Sequence, residues 1–152
     1  MNYAEYQNIV KEYEESDSVR RREEIEEQVY DASTDLLTVL NRLYAKYGKD
    51  FVDDDEYRED RGWLSLSERN EFDAHSVYLH YSDRWSYGGE CDFGIEVPMK
   101  YLDKEALSEL EEQLSEGRVK SIRHSIQEKK QTIERLKKEV EELEEQLTET
   151  VK

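Results

Sequence analysis

Three side chains in this sequence are of the types that bind soft metal ions or act as nucleophiles: His75, His80 and Cys91. Zinc sites and cysteine catalysis are usually signalled by short motifs such as CxxC or HExxH, and neither motif occurs. Side chains alternate along a strand, so His75 and His80 are predicted to point to opposite faces. A pairing of Cys91 with a histidine and Asp92 is a weaker alternative, since a lone cysteine is usually a small buried hydrophobe. The sequence therefore predicts a protein with no enzymatic activity, no metal site and no cofactor.

The run from Asp53 to Glu56 has the carboxylates that calcium prefers, but it lacks the rest of a calcium loop. An EF-hand loop starting at Asp53 needs an oxygen ligand at position 5, Gly at position 6 and Glu at position 12. The chain has Tyr57, Arg58 and Leu64 at those places. The run belongs to an acidic connector, residues 49–62, interpreted either as a solvated loop or as a patch that imitates phosphate charge. Its predicted partner-binding residues are Asp50, Asp53, Asp54, Asp55, Glu56, Glu59 and Asp60.

The charge of the chain is strongly negative and unevenly distributed. With 39 Asp and Glu against 22 Lys and Arg, the net charge is −17. Residues 1–62 and 63–117 each carry −9, whereas residues 118–152 carry +1. The acidic part lacks the basic footprint that phosphate binding needs, so direct nucleic-acid binding is not expected. Such a field instead steers association toward basic partners, including proteins that bind nucleic acid.

The chain shows none of the signals of an exported or membrane protein. A single cysteine rules out an internal disulfide and suits a reducing compartment. The N-terminal residues resemble no signal peptide, and no apolar run approaches the roughly 20 residues of a membrane span. We therefore expect a cytoplasmic protein, in the host cytoplasm if a phage encodes it.

Apolar periodicity predicts an α+β fold with N-terminal helices, a small antiparallel hairpin or three-stranded sheet, and a long C-terminal coiled-coil helix. Helices are predicted over residues 3–15 and 19–47, with N-cap candidates at residues 16–18 and a stop at Gly48. The sheet is predicted within residues 63–100 and a further helix over residues 103–116, ending near Gly117. Residues 1–117 would form the acidic body and residues 118–152 the tail.

The hairpin around Gly88 is predicted from the need to keep one apolar face. A two-residue Gly88-Gly89 turn would set Ile95 opposite Ser82 and mix the faces. A loop of three or five residues centred on Gly88 avoids this. It predicts the pairs Tyr81 with Ile95, Leu79 with Val97, and Val77 with Met99.

Aromatic side chains cluster at the tip of this hairpin. They are interpreted either as core for the small sheet or as anchors for a partner, because Trp and Tyr dominate interface hot spots. The second interpretation assigns partner binding to Trp85, Tyr87, Glu90 and Asp92.

The tail has an apolar residue at nearly every a and d position of a heptad repeat. The predicted self-association residues are Ile122, Ile126, Ile133, Leu136, Val140, Leu143 and Leu147. Charge is sorted along the tail: residues 118–138 carry +6 and residues 139–152 carry −5. β-branched residues at a and Leu at d favour a parallel dimer. Charge favours an antiparallel homodimer in which paired residue numbers sum to 269, and the alternative is that the tail packs on its own chain.

Taken together, the acidity, the Tyr- and Trp-rich hairpin and the helical flanks resemble the small acidic proteins with which bacteriophages disarm host defence, the anti-CRISPR and DNA-mimic class. The resemblance is one of type, without a motif. It implies an inhibitor whose acidic surface occupies a basic groove of a nucleic-acid-handling protein, such as a CRISPR effector. The alternative hypothesis is a coiled-coil structural or assembly protein in which the tail is the working part.

Overall fold

A computed structural model of the chain describes residues 1–52, 65–66, 71–84 and 90–152, with backbone alone at 65–66, 82–84 and 90–93. The elements are α1 (Tyr3–Glu15), α2 (Val19–Lys46), β1 (Ser65–Leu66), β2 (Glu71–Phe72), β3 (Ser76–Arg84), β4 (Glu90–Pro98), a 3-10 turn (Met99–Leu102) and α3 (Lys104–Val151). The chain divides into two compact units, Met1–Glu112 and Gln113–Lys152. The predicted α+β class is confirmed.

The first two helices begin at capping side chains. Asn2 and Glu5 form a capping box, in which the Asn2 side chain accepts from the Glu5 N–H at 2.9 Å and the Glu5 carboxylate accepts from the Asn2 N–H at 2.8 Å. Ser18 accepts from the Arg21 N–H at 3.3 Å at the start of α2, which confirms a cap in the predicted cluster. These side chains satisfy backbone donors that have no partner inside the helix.

Helix α2 ends at the predicted glycine. Gly48 has a φ of 68°, a left-handed conformation that costs a side chain about 1–2 kcal/mol. The Gly48 N–H donates to the Ala45 carbonyl and the Lys49 N–H donates to the Tyr44 carbonyl, each at 3.0 Å. This double closure is the Schellman motif, so Gly48 is the C′ residue of α2.

Strand β3 is the centre of an antiparallel sheet. It pairs along its whole length with β4, and on its other side with β1 at one end and β2 at the other. The predicted register is wrong by two residues: Val77 pairs with Val97, Leu79 with Ile95, and Tyr81 with Phe93. Arg84 pairs with Glu90, which leaves five intervening residues centred on position 87 instead of Gly88. Because side chains alternate with a period of two, this slip leaves every residue on its predicted face.

The core of the first unit lies between the helices and one face of the sheet. Helix α2 contacts β3 and β4, and α1 contacts α2 and the 3-10 turn. Val77, Leu79, Ile95 and Val97 are buried together, as predicted, while Glu96 on the opposite face is exposed. Pro98 ends β4, also as predicted, but Met99 has left the strand and is buried at the start of the 3-10 turn. Burying one such aliphatic side chain contributes roughly 1.5–3 kcal/mol.

The predicted helix end near Gly117 is wrong. One helix runs from Lys104 to Val151, and Gly117 lies within it. A glycine inside a helix costs about 1 kcal/mol relative to alanine, which flanking Glu, Leu, Lys and Arg residues of good helix propensity offset. The basic stretch from Arg118 therefore lies in mid-helix, beyond the first turn where the helix dipole acts. Only the acidic C-terminal end still opposes the dipole.

Candidate interaction surfaces

The most distinctive surface in the second unit is an apolar stripe along α3. Every residue from Arg118 to Lys152 is exposed. Residues at a and d positions repeat along one side of this helix, so their apolar side chains line up in one seam. We call this seam the α3 stripe, and its members are exposed by 44–65%: Val119, Ile122, Ile126, Ile133, Leu136, Val140, Leu143 and Leu147.

The α3 stripe is interrupted once in its interior. Lys129 occupies a d position between Ile126 and Ile133. A lysine in a coiled-coil core position weakens the pair and restricts its geometry, because the ammonium must reach water or a carboxylate.

A second surface, in the first unit, is a row of carboxylates that sequence analysis missed. Glu23, Glu27, Asp31 and Asp35 follow one another at four-residue intervals on α2, and all four are exposed. Residues four apart lie about 6 Å from each other along a helix, so this acidic row extends for about 18 Å. Like charges at this spacing disfavour the helix. The four-residue spacing of acids, read from the sequence, was the signal that could have revealed it.

Other acids of the first unit are held in local ion pairs. Arg21 forms two hydrogen bonds to Glu12, at 2.7 and 2.9 Å. The carboxylate of Glu111 lies 2.5 Å from the Lys46 ammonium and accepts from the Tyr47 hydroxyl at 2.9 Å. These hydrogen bonds lower the pKa of both Glu12 and Glu111. Within the part of the chain that the structure describes, the carboxylates of the acidic row take part in none of these pairs.

Most of the predicted partner-binding residues lie outside the described residues. Asp50 follows α2 and is exposed. Glu90 and Asp92 lie on β4, where the backbone alone is described. The remaining members lie outside the described ranges: Asp53, Asp54, Asp55, Glu56, Glu59, Asp60, Trp85 and Tyr87.

The candidate metal and nucleophile residues are distributed over three places in the sheet. His75 lies in the β2–β3 turn, where its Nδ1 is 2.9 Å from the Tyr3 hydroxyl. His80 lies on β3 opposite Gly94, and Cys91 lies on β4 opposite Asp83. Among the residues with described side chains, no group of three or more His, Cys, Asp or Glu is arranged to hold a metal ion.

The β2–β3 turn is organised by Asp73. Its carboxylate accepts from the His75 N–H at 2.7 Å and from the Ser76 N–H at 2.9 Å, and these two bonds lower its pKa. The buried Tyr6 hydroxyl contacts the Asp73 carbonyl, and burial raises the pKa of Tyr6. This network is structural, because it closes a turn and fastens α1 to it.

A shallow apolar groove of about 320 Å³ also lies in the first unit. It is lined by Met1, Ala32, Asp35, Leu36, Val39, Tyr101, Leu102 and Leu107. The lining offers one carboxylate and one phenol but neither an imidazole nor a thiol, so it has no nucleophile paired with a base.

Comparisons of the chain with protein-family models, with curated proteins and with solved structures find no match in any of the three. Within the described ranges, no helix has the length and apolar character needed to cross a membrane. The surfaces themselves are therefore the basis for inferring a function.

Proposed function

We propose that this protein is a non-enzymatic, cytoplasmic assembly protein that forms a homodimer through the α3 stripe. The single observation that carries the proposal is the exposure of Ile126, Ile133 and Leu136, by 49%, 51% and 48%, along one uninterrupted helix. Exposure of these apolar side chains to water is unfavourable, and a matching helix that covers the seam removes them from water.

The heptad pattern specifies what kind of partner covers the stripe. Apolar residues occupy eight of the ten a and d positions between Val119 and Thr150. This segment is about 47 Å long, and a second helix of the same repeat can pack along all of it. A second copy of the chain always supplies such a helix, which favours self-association over a chance partner.

Sedimentation velocity on the full chain tests the proposal. The wild-type protein is expected to sediment as a dimer, and the double variant Ile126→Ser, Leu143→Ser as a monomer. The matched control is Gln131→Ser with Glu145→Ser, which changes two positions on the opposite side of the same helix and should leave the dimer intact. A wild-type protein that remains monomeric at high micromolar concentration would contradict the proposal and favour a tail that packs on its own chain.

A second candidate function is favoured by the acidic row on α2. Its four exposed carboxylates resemble a line of phosphates in charge and regular spacing, and the acidic connector adds further acids beyond Asp50. We propose that this surface binds a basic, nucleic-acid-binding host protein, such as a CRISPR effector, and inhibits it by occupying its nucleic-acid groove. Trp85 and Tyr87, with Glu90 and Asp92, are proposed as anchors of the same interface.

A pull-down from host lysate at low and high salt tests the second candidate. The expected partners are nucleic-acid-binding proteins that high salt releases, because the attraction is electrostatic. Neutralising the acidic row (Glu23, Glu27, Asp31 and Asp35 to the amides) should reduce their capture. Neutralising the exposed Glu105, Glu109, Glu112 and Glu116 to Gln changes the net charge equally and is the control. Equal capture by both variants would show that net charge alone attracts the partner, without a specific row.

A further inference from the structure

We propose that the α3 helices of two copies pair antiparallel, in the register where paired residue numbers sum to 269, and that Lys129 helps to select this orientation. The inference rests on the proposed self-association. It adds the direction of the second copy and therefore where each copy attaches its first unit.

The register follows from the heptad positions of α3. With a at Val119 and d at Ile122, subtracting each core position from 269 returns another core position. Every a residue then faces a d residue of the second copy, as with Ile126 and Leu143. All ten layers from residue 119 to residue 150 are filled, so no part of the α3 stripe is left over.

Lys129 distinguishes the two directions. In an in-register parallel dimer, two Lys129 side chains would share one core layer, and two like charges close together are unfavourable. In the antiparallel register each Lys129 faces Val140 of the second copy. Glu139 and Glu144 of that copy then lie within about one helical turn of Val140, and their carboxylates can accept hydrogen bonds from the Lys129 ammonium.

The residues flanking the α3 stripe also distinguish the directions. Parallel helices bring g positions against e positions of the next heptad, which pairs Arg118 with Arg123 and Glu139 with Glu144, all like charges. Antiparallel helices bring e against e, because the e positions of both helices lie on the same side of the seam. That arrangement pairs Arg123 with Glu144, which attract each other.

One flanking contact opposes the antiparallel arrangement. Lys130 meets Lys137 of the second copy, again at two e positions. This local repulsion is smaller than the sum for the parallel case, which has two like-charge flanking contacts per chain and a buried lysine pair. The sorted charge of the helix, +6 over residues 118–138 and −5 over residues 139–152, acts in the same direction.

The orientation determines how the assembly presents its first units. In the antiparallel register, residue 113 of one copy lies about 65 Å along the axis from residue 113 of the other. A parallel dimer would bring the same two residues side by side. The antiparallel register therefore keeps the two points where the first units are attached far apart, which suits the dimer to bridging two separated sites on a partner.

Spin-label distance measurements on the full-length dimer test the direction. In a Cys91→Ser background, single labels are placed on the outer side of α3 at Ser121→Cys, Glu134→Cys and Thr148→Cys. The antiparallel register predicts about 40 Å between the two labels at 121 and at 148, and close approach at 134. A mixture of chains labelled at 121 and chains labelled at 148 should add a short distance.

The outcomes separate the direction from the association itself. Short distances at all three positions, with the mixed sample adding a distance of about 40 Å between labels at 121 and 148, mean a parallel dimer and overturn the proposal while leaving self-association intact. Absence of any coupling between chains, together with a monomeric mass, would overturn self-association as well. Circular dichroism and the mass of the unlabelled Cys91→Ser protein verify that the background still folds and associates.

Discussion

The hydroxyl of Tyr6 lies 2.5 Å from the backbone carbonyl oxygen of Asp73, at a point where the Tyr6 side chain is completely buried. The same hydroxyl is 3.2 Å from the Ser76 carbonyl oxygen. One phenol proton thus joins α1 to both ends of the β2–β3 turn. The contact joins segments 67 residues apart in the sequence, so it is a tertiary link between α1 and this turn.

Removing this hydroxyl should destabilise the first unit. Tyr6→Phe keeps the ring but removes the donor to the Asp73 carbonyl, whereas the Ser76 carbonyl still accepts from the Asp73 N–H at 3.0 Å. A buried acceptor left unsatisfied costs about 1–3 kcal/mol. Urea unfolding followed by circular dichroism measures the loss. Tyr3→Phe is the matched control, since the Tyr3 hydroxyl bonds to the exposed His75 and water can replace it. Equal losses of stability in the two variants would show that the Tyr6 hydrogen bond contributes no more than the exposed Tyr3 bond.

The carboxylate of Asp73 should make folding sensitive to acid. Its pKa is lowered in the folded state by the His75 and Ser76 N–H groups. A lowered folded pKa means that the stabilisation is fully present above the unfolded value of 3.8 and is lost as pH falls through the folded value. The stability difference between wild type and Asp73→Asn should therefore shrink as pH falls from 5 toward 2, by the linkage of protonation to folding. Urea midpoints across this range check it, with Asp35→Asn as an exposed control.

Gly117, inside α3, and Gly48, just after α2, should respond to alanine in opposite directions. Gly117→Ala should raise stability by up to about 1 kcal/mol, because the residue lies inside α3 with no positive φ. Gly48→Ala should lower it by about 1–2 kcal/mol, because φ there is 68°. Thermal unfolding of the two variants makes the comparison. A loss of stability in Gly117→Ala would show that this position requires the absence of a side chain, whatever the helix propensity of alanine.

These elements also show which parts of the fold could be predicted from the sequence. The helix starts and the end of α2 were predictable, because caps and the Gly48 stop act through bonds between near neighbours. The burial of Val77, Leu79, Ile95 and Val97 was predictable because alternation fixes the faces. The register was not, since slips by two residues preserve the faces and the choice among them depends on the residues between Arg84 and Glu90.

The misassigned end at Gly117 has a different cause. Gly48 and Gly117 both follow a periodic helical segment, so the local sequence pattern predicts a helix end at each of them. At Gly117 the helix continues because a heptad repeat of good helix formers begins immediately afterwards. The acidic row is hidden for a related reason: its acids share a four-residue interval with the apolar residues of α2, so helical periodicity alone does not distinguish them.

A charge reversal at an e position should tighten the antiparallel dimer. Lys130→Glu replaces the Lys130–Lys137 repulsion by an attraction, whereas in a parallel dimer residue 130 faces the uncharged Ser125. The dissociation constant, measured by sedimentation equilibrium at low salt, should fall several-fold, since exposed pairs contribute about 0.2–1 kcal/mol. Adding Lys137→Glu restores a like-charge contact and should reverse the gain. No change in either variant would argue against this e–e contact.

Replacing Lys129 by leucine should strengthen association and loosen the choice of direction. The substitution completes the α3 stripe with an apolar d residue, so the dimer should bind more tightly in either orientation. It also removes the buried lysine pair that disfavours the parallel arrangement. The charges that flank the α3 stripe are then the remaining factor that favours the antiparallel direction. Spin labels at residue 121 should then show a short distance beside the 40 Å expected of the antiparallel pair. High salt should enlarge this short component, because it screens the flanking charges. Lys138→Leu, on the solvent side of α3, controls for added hydrophobicity and should leave the distance unchanged. If Lys129→Leu tightens the dimer without any short component, orientation is determined by the sorted charges alone and Lys129 has no part in it.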